Sequence, residues 1–156
     1  MRKRFLTYVD TSVFGGTEDQ EFREQSRRFF ELVRKGRFLA LISKEVADEI
    51  AKAPQAVQDV LFGLPGECLR AVEITDEVQR LAQAYISSGA LTAKSKGDAI
   101  HVAAATVVGA DLIVSWNFKH IVNHNRIRIF NGVNGIEGYK DIDIRSPLEV
   151  IYDDEA

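Results

Sequence analysis

The sequence has little of several features that would assign a protein to a class. Its 156 residues include a single cysteine, Cys68, which excludes an internal disulfide and a zinc cluster of several thiolates, and which we expect in the core. The longest uncharged stretch, 99–110, falls well short of the ~20 residues that a membrane span requires. Basic residues 2–4 precede too few apolar residues for a signal peptide, so we expect a cytoplasmic protein without a membrane anchor.

Neither sign of charge is in large excess. Twenty Lys and Arg against 23 Asp and Glu give a formal net charge of −3, which argues against a protein that coats nucleic acid but permits a local basic rim. No internal repeat or low-complexity segment is present. Because 46% of the residues are hydrophobic, the chain can build a real core, and we predict a single domain over 1–156. Its core would span about 5–130, and a C-terminal tail, 131–156, would wrap the surface.

Short apolar runs alternate with amphipathic patterns along the chain, which is typical of an α/β fold with a parallel sheet and right-handed crossovers. The first run should be a central strand, because it is apolar and β-prone without turn residues. Predicted strands cover 5–9, 38–42, 68–72 (an outer strand), 111–115 and 127–130 (an edge), and predicted helices cover about 18–35, 44–52, 56–62, 76–86 and 98–108. Loops or turns are predicted at 15–16, 91–97 and 131–135.

Polar residues stand at corresponding places in these units. Asp10 ends the first strand, Glu49 lies on the helix after the second, Asp98 opens a helix that should be buried, and Asn117 follows the fourth strand. Ligands collect beyond the carboxyl ends of parallel strands, so we expect these side chains to converge. Hard oxygen ligands in such a ring suit Mg²⁺ or Mn²⁺, which offset carboxylates that would otherwise repel one another.

Each of these residues also has a simpler interpretation. Asp10 or Ser12 can cap the next helix, and from this stretch alone a cap is as good an interpretation as a site. Glu49 can be a solvated charge on a helix face, and Asp98 can favour a helix N-terminus electrostatically. His101, one turn after Asp98, is more often a hydrogen-bonded core residue than a metal ligand.

Four ordered motifs carry a resemblance to a known family. They are Tyr8 to Ser12, Ser43 to Ile50 with Glu49, Gly97 to Ala105 opening on an acid, and Ala110 to Asn117. Together they resemble the PIN domain, the small metal-dependent nuclease fold that includes VapC-type toxins of bacterial toxin–antitoxin pairs. The match spans about 5–130, and many family members carry Asp at the position of Asn117.

The resemblance implies a three-layer α/β/α sandwich whose acids hydrolyse a phosphodiester, usually in RNA. Asp10, Glu49 and Asp98 would be catalytic, and these three with Asn117 would hold Mg²⁺ or Mn²⁺. The likeness also implies an antitoxin partner and a homodimer. Thr11, Ser12 and Ser115 would orient the carboxylates or contact phosphate. RNA contacts would come from Lys94, Lys96, Lys119 and His120, although the need for solubility explains these basic residues equally well.

Two other functions compete with a ribonuclease. Asn117 can mark a weak or silent site in an RNA-binding or assembly protein that keeps the fold. An aspartate phosphatase needs a second acid two residues after the nucleophile, where this chain has Ser12, and it therefore ranks low.

Overall fold

The computed structural model describes residues 4–155, with side chains described as far as Tyr152. Its centre is one five-stranded parallel sheet in the order β3-β2-β1-β4-β5, with helices on both sides, which confirms the predicted α/β/α sandwich. The strands are β1 (Phe5–Val9), β2 (Phe38–Ser43), β3 (Leu69–Val72), β4 (Leu112–Val114) and β5 (Asp143–Arg145). The helices are α1 (Thr11–Gly16), α2 (Arg23–Arg34), α3 (Lys44–Ala51), α4 (Gln55–Phe62), α5 (Asp76–Ser87), α6 (Lys96–Val108), α7 (His124–Glu137) and α8 (Pro147–Glu155).

Strand β1 lies in the middle of the sheet, as predicted, between β2 and β4. Tyr8 and Val9 are fully buried, because a central parallel strand is covered on both faces. The amide of Asp10 still donates to the carbonyl of Val114 at 3.0 Å, so the carboxylate is placed where the ladder ends. Strand β3 is the outer strand that the sequence predicted.

Helix caps account for several boundaries that the sequence predicted well. The Ser43 hydroxyl accepts from the Val46 amide and begins α3, as expected. Thr75 caps α5 in the same way through the Val78 amide. Helix α6 is buried along most of its length, although it begins at Lys96, so Asp98 lies in its first turn rather than at its first residue. The predicted loop over 91–97 accordingly contains a short 3₁₀ turn, Ala93–Ser95, and the start of this helix.

The single helix expected over 18–35 was wrong at its beginning. Gly15 and Gly16 lie inside α1 rather than in a loop, and α2 starts only at Arg23. The two helices are separated by a turn in which the Asp19 carboxylate accepts from the amides of Glu21 and Phe22. The paired glycines suggested a loop, but the packing described below requires a glycine at position 16.

The C-terminal region differs most from the prediction. The predicted strand 127–130 and turn 131–135 are both part of α7, which Asn123 caps and which ends at Gly138 in the left-handed conformation (φ 88°). Tertiary contacts select the helix, because its Asn134 accepts a buried hydrogen bond from the Tyr85 hydroxyl at 2.6 Å. The tail does not merely wrap the surface, since it supplies the edge strand β5 and helix α8, which packs against α2.

A continuous hydrophobic core links the sheet to both helical layers and includes Cys68, which is buried as expected. Among the helices, α5 packs against α6 and α7. Helix α2 packs against α1 and α8. Within residues 4–155, no helix combines the length and the apolar character needed to cross a membrane.

Candidate active site

One pocket of about 590 Å³ opens at the carboxyl ends of β1 and β4. Parallel strands deliver their C-terminal residues to one edge of the sheet, and the N-termini of α1 and α6 reach the same edge. The structure therefore brings Asp10, Glu49, Asp98 and Asn117 to one place. The pocket is lined by Asp10, Thr11, Ser12, Gly15, Gly16, Asp19, Phe22, Glu49, Asp98, Trp116 and Asn117.

Asp10 is held by hydroxyl groups from two strand ends. Its Oδ2 accepts from Ser12 Oγ at 2.7 Å and from Ser115 Oγ at 2.8 Å. Asp10 occupies the N-cap position of α1, yet its side chain makes no capping hydrogen bond. The capping interpretation is therefore wrong, and this carboxylate, which is 5% exposed, faces the pocket instead.

The same two serines join β1 to the segment after β4. Ser12 Oγ accepts from the Trp116 amide, and Ser115 Oγ accepts from the Asn117 amide, both at 2.9 Å. Each hydroxyl thus has a donor and an acceptor partner, which fixes its rotamer and the carboxylate it contacts. These contacts orient Asp10, whereas contact of either serine with phosphate remains a prediction.

Glu49 is linked to the core through a buried histidine. Its Oε1 lies 2.8 Å from His101 Nε2, and His101 Nδ1 lies 2.7 Å from the Tyr8 hydroxyl, which in turn contacts Ser43 Oγ at 2.7 Å. His101 Nε2 also approaches Asp10 Oδ1 at 3.8 Å. The expectation that His101 is a hydrogen-bonded core residue agrees with this series of hydrogen bonds, which connects α3 and α6 to the central strand.

The electrostatics of this pair favour a charged histidine and a charged glutamate. Burial alone would lower the pKa of His101. The hydrogen bond with Glu49 and the charge of Asp10 raise it by more than burial lowers it, so the pKa of His101 is raised overall. Burial raises the pKa of Glu49, but the hydrogen bond and charge of His101 lower it more, so its pKa is lowered overall. Burial strongly raises the pKa of Tyr8, which stays a neutral phenol.

Thr11 is the polar residue of the pocket without a settled partner. Thr11 Oγ1 is buried and reaches no hydrogen-bond partner within the described residues. A buried hydroxyl left unpaired costs free energy, so this atom is available to a group that enters the pocket.

Asp98 is engaged on both oxygens. Asn117 Nδ2 donates to Oδ1 at 3.3 Å, and His120 Nδ1 lies 2.9 Å from Oδ2. Asn117 Oδ1 in turn accepts from the His120 amide at 2.9 Å. His120, predicted to contact RNA, therefore lies against an acid of the pocket, and both side chains of this pair remain about one-quarter exposed.

The three predicted basic contacts do not enter the pocket. Lys94, Lys96 and Lys119 are exposed and are not among its lining residues. Their contact with RNA stays a prediction.

Sequence reasoning missed two sets of partners. The histidine of each acid–histidine pair is 52 or 22 residues away from its acid, and no local spacing in the sequence indicates either pair. The aromatic residues Phe22 and Trp116 were also missed, and no local pattern in the sequence indicates that they meet.

The donor atoms of the pocket fit a hard divalent cation in kind. They are carboxylate, amide and hydroxyl oxygens, which Mg²⁺ and Mn²⁺ prefer over sulfur or imidazole. In the part of the chain that is described, however, no three acidic, histidine or cysteine side chains stand close enough together to form a metal-binding group. The acids share a pocket but are turned towards their hydrogen-bond partners.

The fold is shared with a solved toxin–antitoxin structure. A chain in the crystal structure of VapBC2 from Rickettsia felis, bound to a DNA fragment from their promoter, superposes with a TM-score of 0.59 at 13% sequence identity. The alignment covers 90% of this chain and 98% of that one. By sequence, no family model and no curated protein matches. The chain therefore has a VapC-like, PIN-like α/β fold.

Proposed function

We propose that this chain is a metal-dependent endoribonuclease that hydrolyses RNA phosphodiesters and acts as the toxin of a type II toxin–antitoxin pair. One observation carries the proposal: Asp10, Glu49 and Asp98, from three separate elements, line one pocket at the carboxyl edge of the sheet. The carboxyl edge of a parallel sheet is where ligands of open α/β folds bind. The VapC-like fold supports the same function.

The proposed cofactor is Mg²⁺ or Mn²⁺. Asp10 and Asp98 would be its main ligands, with Glu49 and Asn117 as further oxygen donors. Such a cation lowers the pKa of bound water and neutralises charge on phosphate oxygens. To bind it, Asp98 would exchange its hydrogen bonds from Asn117 and His120 for the cation, which its partial exposure permits.

The chain's own groups would position the reactants. Ser12 and Ser115 hold the Asp10 carboxylate in one rotamer, so little reorganisation is needed when a ligand binds. Glu49, with its lowered pKa, is ionised at neutral pH and can accept a proton from, or orient, a water molecule at the pocket. His101 holds one oxygen of Glu49 at 2.8 Å and so restricts the orientation of this carboxylate.

The partners follow from the same proposal. The VapBC2 structure is a complex that binds a promoter DNA fragment, so we propose an antitoxin protein for this chain as well. We further propose a homodimer, since isologous dimers are the commonest soluble oligomers. The place of action would be the cytoplasm, where RNA and antitoxin meet.

The test is cleavage of a fluorescent single-stranded RNA by the purified chain. We expect cleavage with Mn²⁺ that EDTA abolishes, and loss of cleavage in Asp10→Asn and Asp98→Asn. Asp59→Asn, at an exposed carboxylate on α4, is the matched control and should cleave normally. Full activity in Asp10→Asn or Asp98→Asn would refute the assignment.

A catalytically weak RNA-binding or assembly protein is the second candidate. It is favoured by Asn117, which supplies an amide where an acid would add charge and which donates to Asp98. RNA binding without any metal-dependent cleavage would support this candidate over the nuclease.

A further inference from the structure

Three aromatic side chains form a cluster beside the carboxylate pocket. Phe22 stacks on Trp116 with ring centroids 4.2 Å apart and planes at 18°. Phe118 meets the same indole edge-on at 6.0 Å and lies 6.5 Å from Phe22. We call these three residues the aromatic cluster.

The aromatic cluster is attached rigidly to the acids. Trp116 stands between Ser115 and Asn117, the residues that donate to Asp10 and Asp98, and its amide donates to Ser12. Phe22 and Trp116 themselves line the pocket. Any group that occupies the pocket therefore has an aromatic surface next to it.

The indole is locked in place from below. Trp116 Nε1 donates to Ser26 Oγ at 2.8 Å, and this contact passes directly over Gly16. A Cβ at position 16 would lie 2.3 Å from Ser26 Oγ and 2.9 Å from Trp116 Nε1, so only glycine permits the arrangement. This close approach explains the glycine inside α1 that suggested a loop in the sequence.

The outer ring of the aromatic cluster is exposed. Phe118 is 49% exposed, whereas Trp116 is 8% exposed, so one side of the aromatic cluster is buried and the other is open to solvent. Aromatic pairs that serve only the core, such as Tyr85 with Phe130, are fully buried. An exposed ring on a rigid support next to a pocket is suited to stack against a flat ligand.

We propose that the aromatic cluster is a stacking platform for one nucleobase of single-stranded RNA whose backbone passes the Asp10 and Asp98 carboxylates. The inference rests on the proposed function, because that function places a phosphodiester at the acids. A base can reach Phe118 only if it is unstacked from its neighbours, so the substrate class is single-stranded rather than duplex RNA. Since every base has a π face, the platform selects for strandedness more than for sequence.

Trp116 is the only tryptophan of the chain and therefore reports on the platform directly. A short oligouridine would be titrated into the full-length Asp98→Asn protein, which should not cleave it, while Trp116 fluorescence is recorded. We expect the fluorescence to change with oligouridine and to stay constant with an abasic ribose–phosphate strand of the same length. Equal binding and equal fluorescence change with the abasic strand would overturn the proposal.

Variants at Phe118 complete the test. Phe118→Leu should weaken oligouridine binding roughly 5- to 100-fold, the usual loss when one stacking ring is removed, whereas Phe118→Tyr should retain binding. Phe62→Leu is the matched control, because Phe62 is 75% exposed and lines a different pocket on α4. Unchanged affinity in Phe118→Leu would exclude the platform.

The two proposals fail in different ways. Suppose that the wild-type chain cleaves RNA, but that neither an abasic site in the substrate nor the Phe118→Leu substitution alters KM. The platform is then wrong while the nuclease stands. If no cleavage occurs but Trp116 responds to oligouridine and depends on Phe118, the platform stands and the nuclease is wrong. Binding of an apolar protein segment to Phe118 with no response to RNA would count against the platform.

Discussion

Two acids of the pocket each contact a histidine, and the two pairs differ in what surrounds them. Glu49 and His101 lie 2.8 Å apart, and Asp98 and His120 lie 2.9 Å apart. The side chain of His101 is 3% exposed and that of His120 is 26% exposed. His101 also contacts the buried Tyr8, whereas the backbone amide of His120 donates to the side-chain oxygen of Asn117.

The difference in burial assigns different roles to two similar contacts. His101 is buried and cannot exchange Glu49 for water without cost, so it fixes Glu49 even though the Glu49 side chain, at 45%, is more exposed than that of Asp98, at 25%. A partly exposed pair can open at little cost, since solvent replaces each hydrogen bond that is lost. Asp98 is therefore the acid that can turn from its histidine to a cation, and Glu49 is the acid whose position is set in advance.

The largest effect is expected from removing the charge of Asp98, the acid that can exchange its histidine for a cation. Asp98→Asn should abolish RNA cleavage and reduce Mn²⁺ affinity by up to ~100-fold, because each pair of unit charges ~5 Å apart at an effective dielectric of ~20 is worth roughly 3 kcal/mol before desolvation. Isothermal titration calorimetry and the thermal shift with Mn²⁺ measure this loss. If Asp98→Asn keeps the Mn²⁺-induced rise in melting temperature, Asp98 is not a ligand.

Removing each histidine compares the pairs directly. His101→Ala should lower the free energy of unfolding by about 2–3 kcal/mol, less than the ~3–5 kcal/mol of a fully buried pair because Glu49 is nearly half-exposed. His120→Ala should cost less, about 1 kcal/mol, because this pair is about one-quarter exposed on both sides and solvent can replace part of the lost contact. Urea denaturation in EDTA measures both. Equal costs would mean that burial does not distinguish the two pairs.

The buried pair should also leave a pH signature in the metal-free protein. The raised pKa of His101 stabilises the fold below its ordinary value of 6.5, and this contribution is lost as pH rises through the folded pKa. The lowered pKa of Glu49 stabilises the fold above its ordinary value of 4.5 and is lost as pH falls. The stability difference between wild type and His101→Gln should therefore be largest between these two values.

The stability difference between wild type and His101→Gln should become smaller from that window to alkaline pH, because the contribution of the raised His101 pKa is lost there. Thermal melts of wild type and His101→Gln in EDTA across the pH range provide the measurement. A difference that grows at alkaline pH would contradict the assigned direction of the His101 shift.

The sequence predicted those parts of the molecule whose signals are local. Asp10 at the end of an apolar strand and Ser43 before a helix could be placed because strand ends and caps depend on a few adjacent residues. Helix α7 could not, because Ile127 and Ile129 alternate as in a strand, and contacts that favour the helix, such as that of Tyr85 with Asn134, join residues far apart in the sequence. The acid–histidine pairs likewise arise from tertiary folding.

Convergence of the acids was predictable for a different reason. In a parallel sheet every strand ends at the same edge, so the topology alone brings Asp10 towards Asn117 and Asp98. What each side chain contacts at that edge depends on rotamers and on distant residues such as His120, which a linear pattern does not encode. The sequence therefore indicates the location of the site more reliably than it indicates which side-chain atoms face the pocket.

The smallest effect is expected at Asn117, which contacts Asp98, the acid that can exchange its partners for a cation. Asn117→Asp adds a carboxylate where an amide now donates to Asp98 at 3.3 Å. Two effects oppose each other, because the new charge attracts a cation but also repels Asp98 and deletes its donor before the cation arrives. At ~5 Å and an effective dielectric of ~20 each pair of unit charges is worth roughly 3 kcal/mol, and desolvation removes much of it, so we expect Mn²⁺ to bind only about 3- to 10-fold more tightly.

The metal concentration needed for cleavage should fall by the same factor if Asn117 only tunes the cation. If instead its amide orients a water molecule or contacts RNA, the variant should bind Mn²⁺ more tightly yet cleave more slowly. Calorimetric titration of Mn²⁺ beside one RNA cleavage assay separates these outcomes, with Asn123→Asp, at the cap of α7, as a control for added charge nearby. Unchanged Mn²⁺ affinity would show that Asn117 lies outside the cation's reach, and the exchange of partners assigned to Asp98 would then depend on His120 alone.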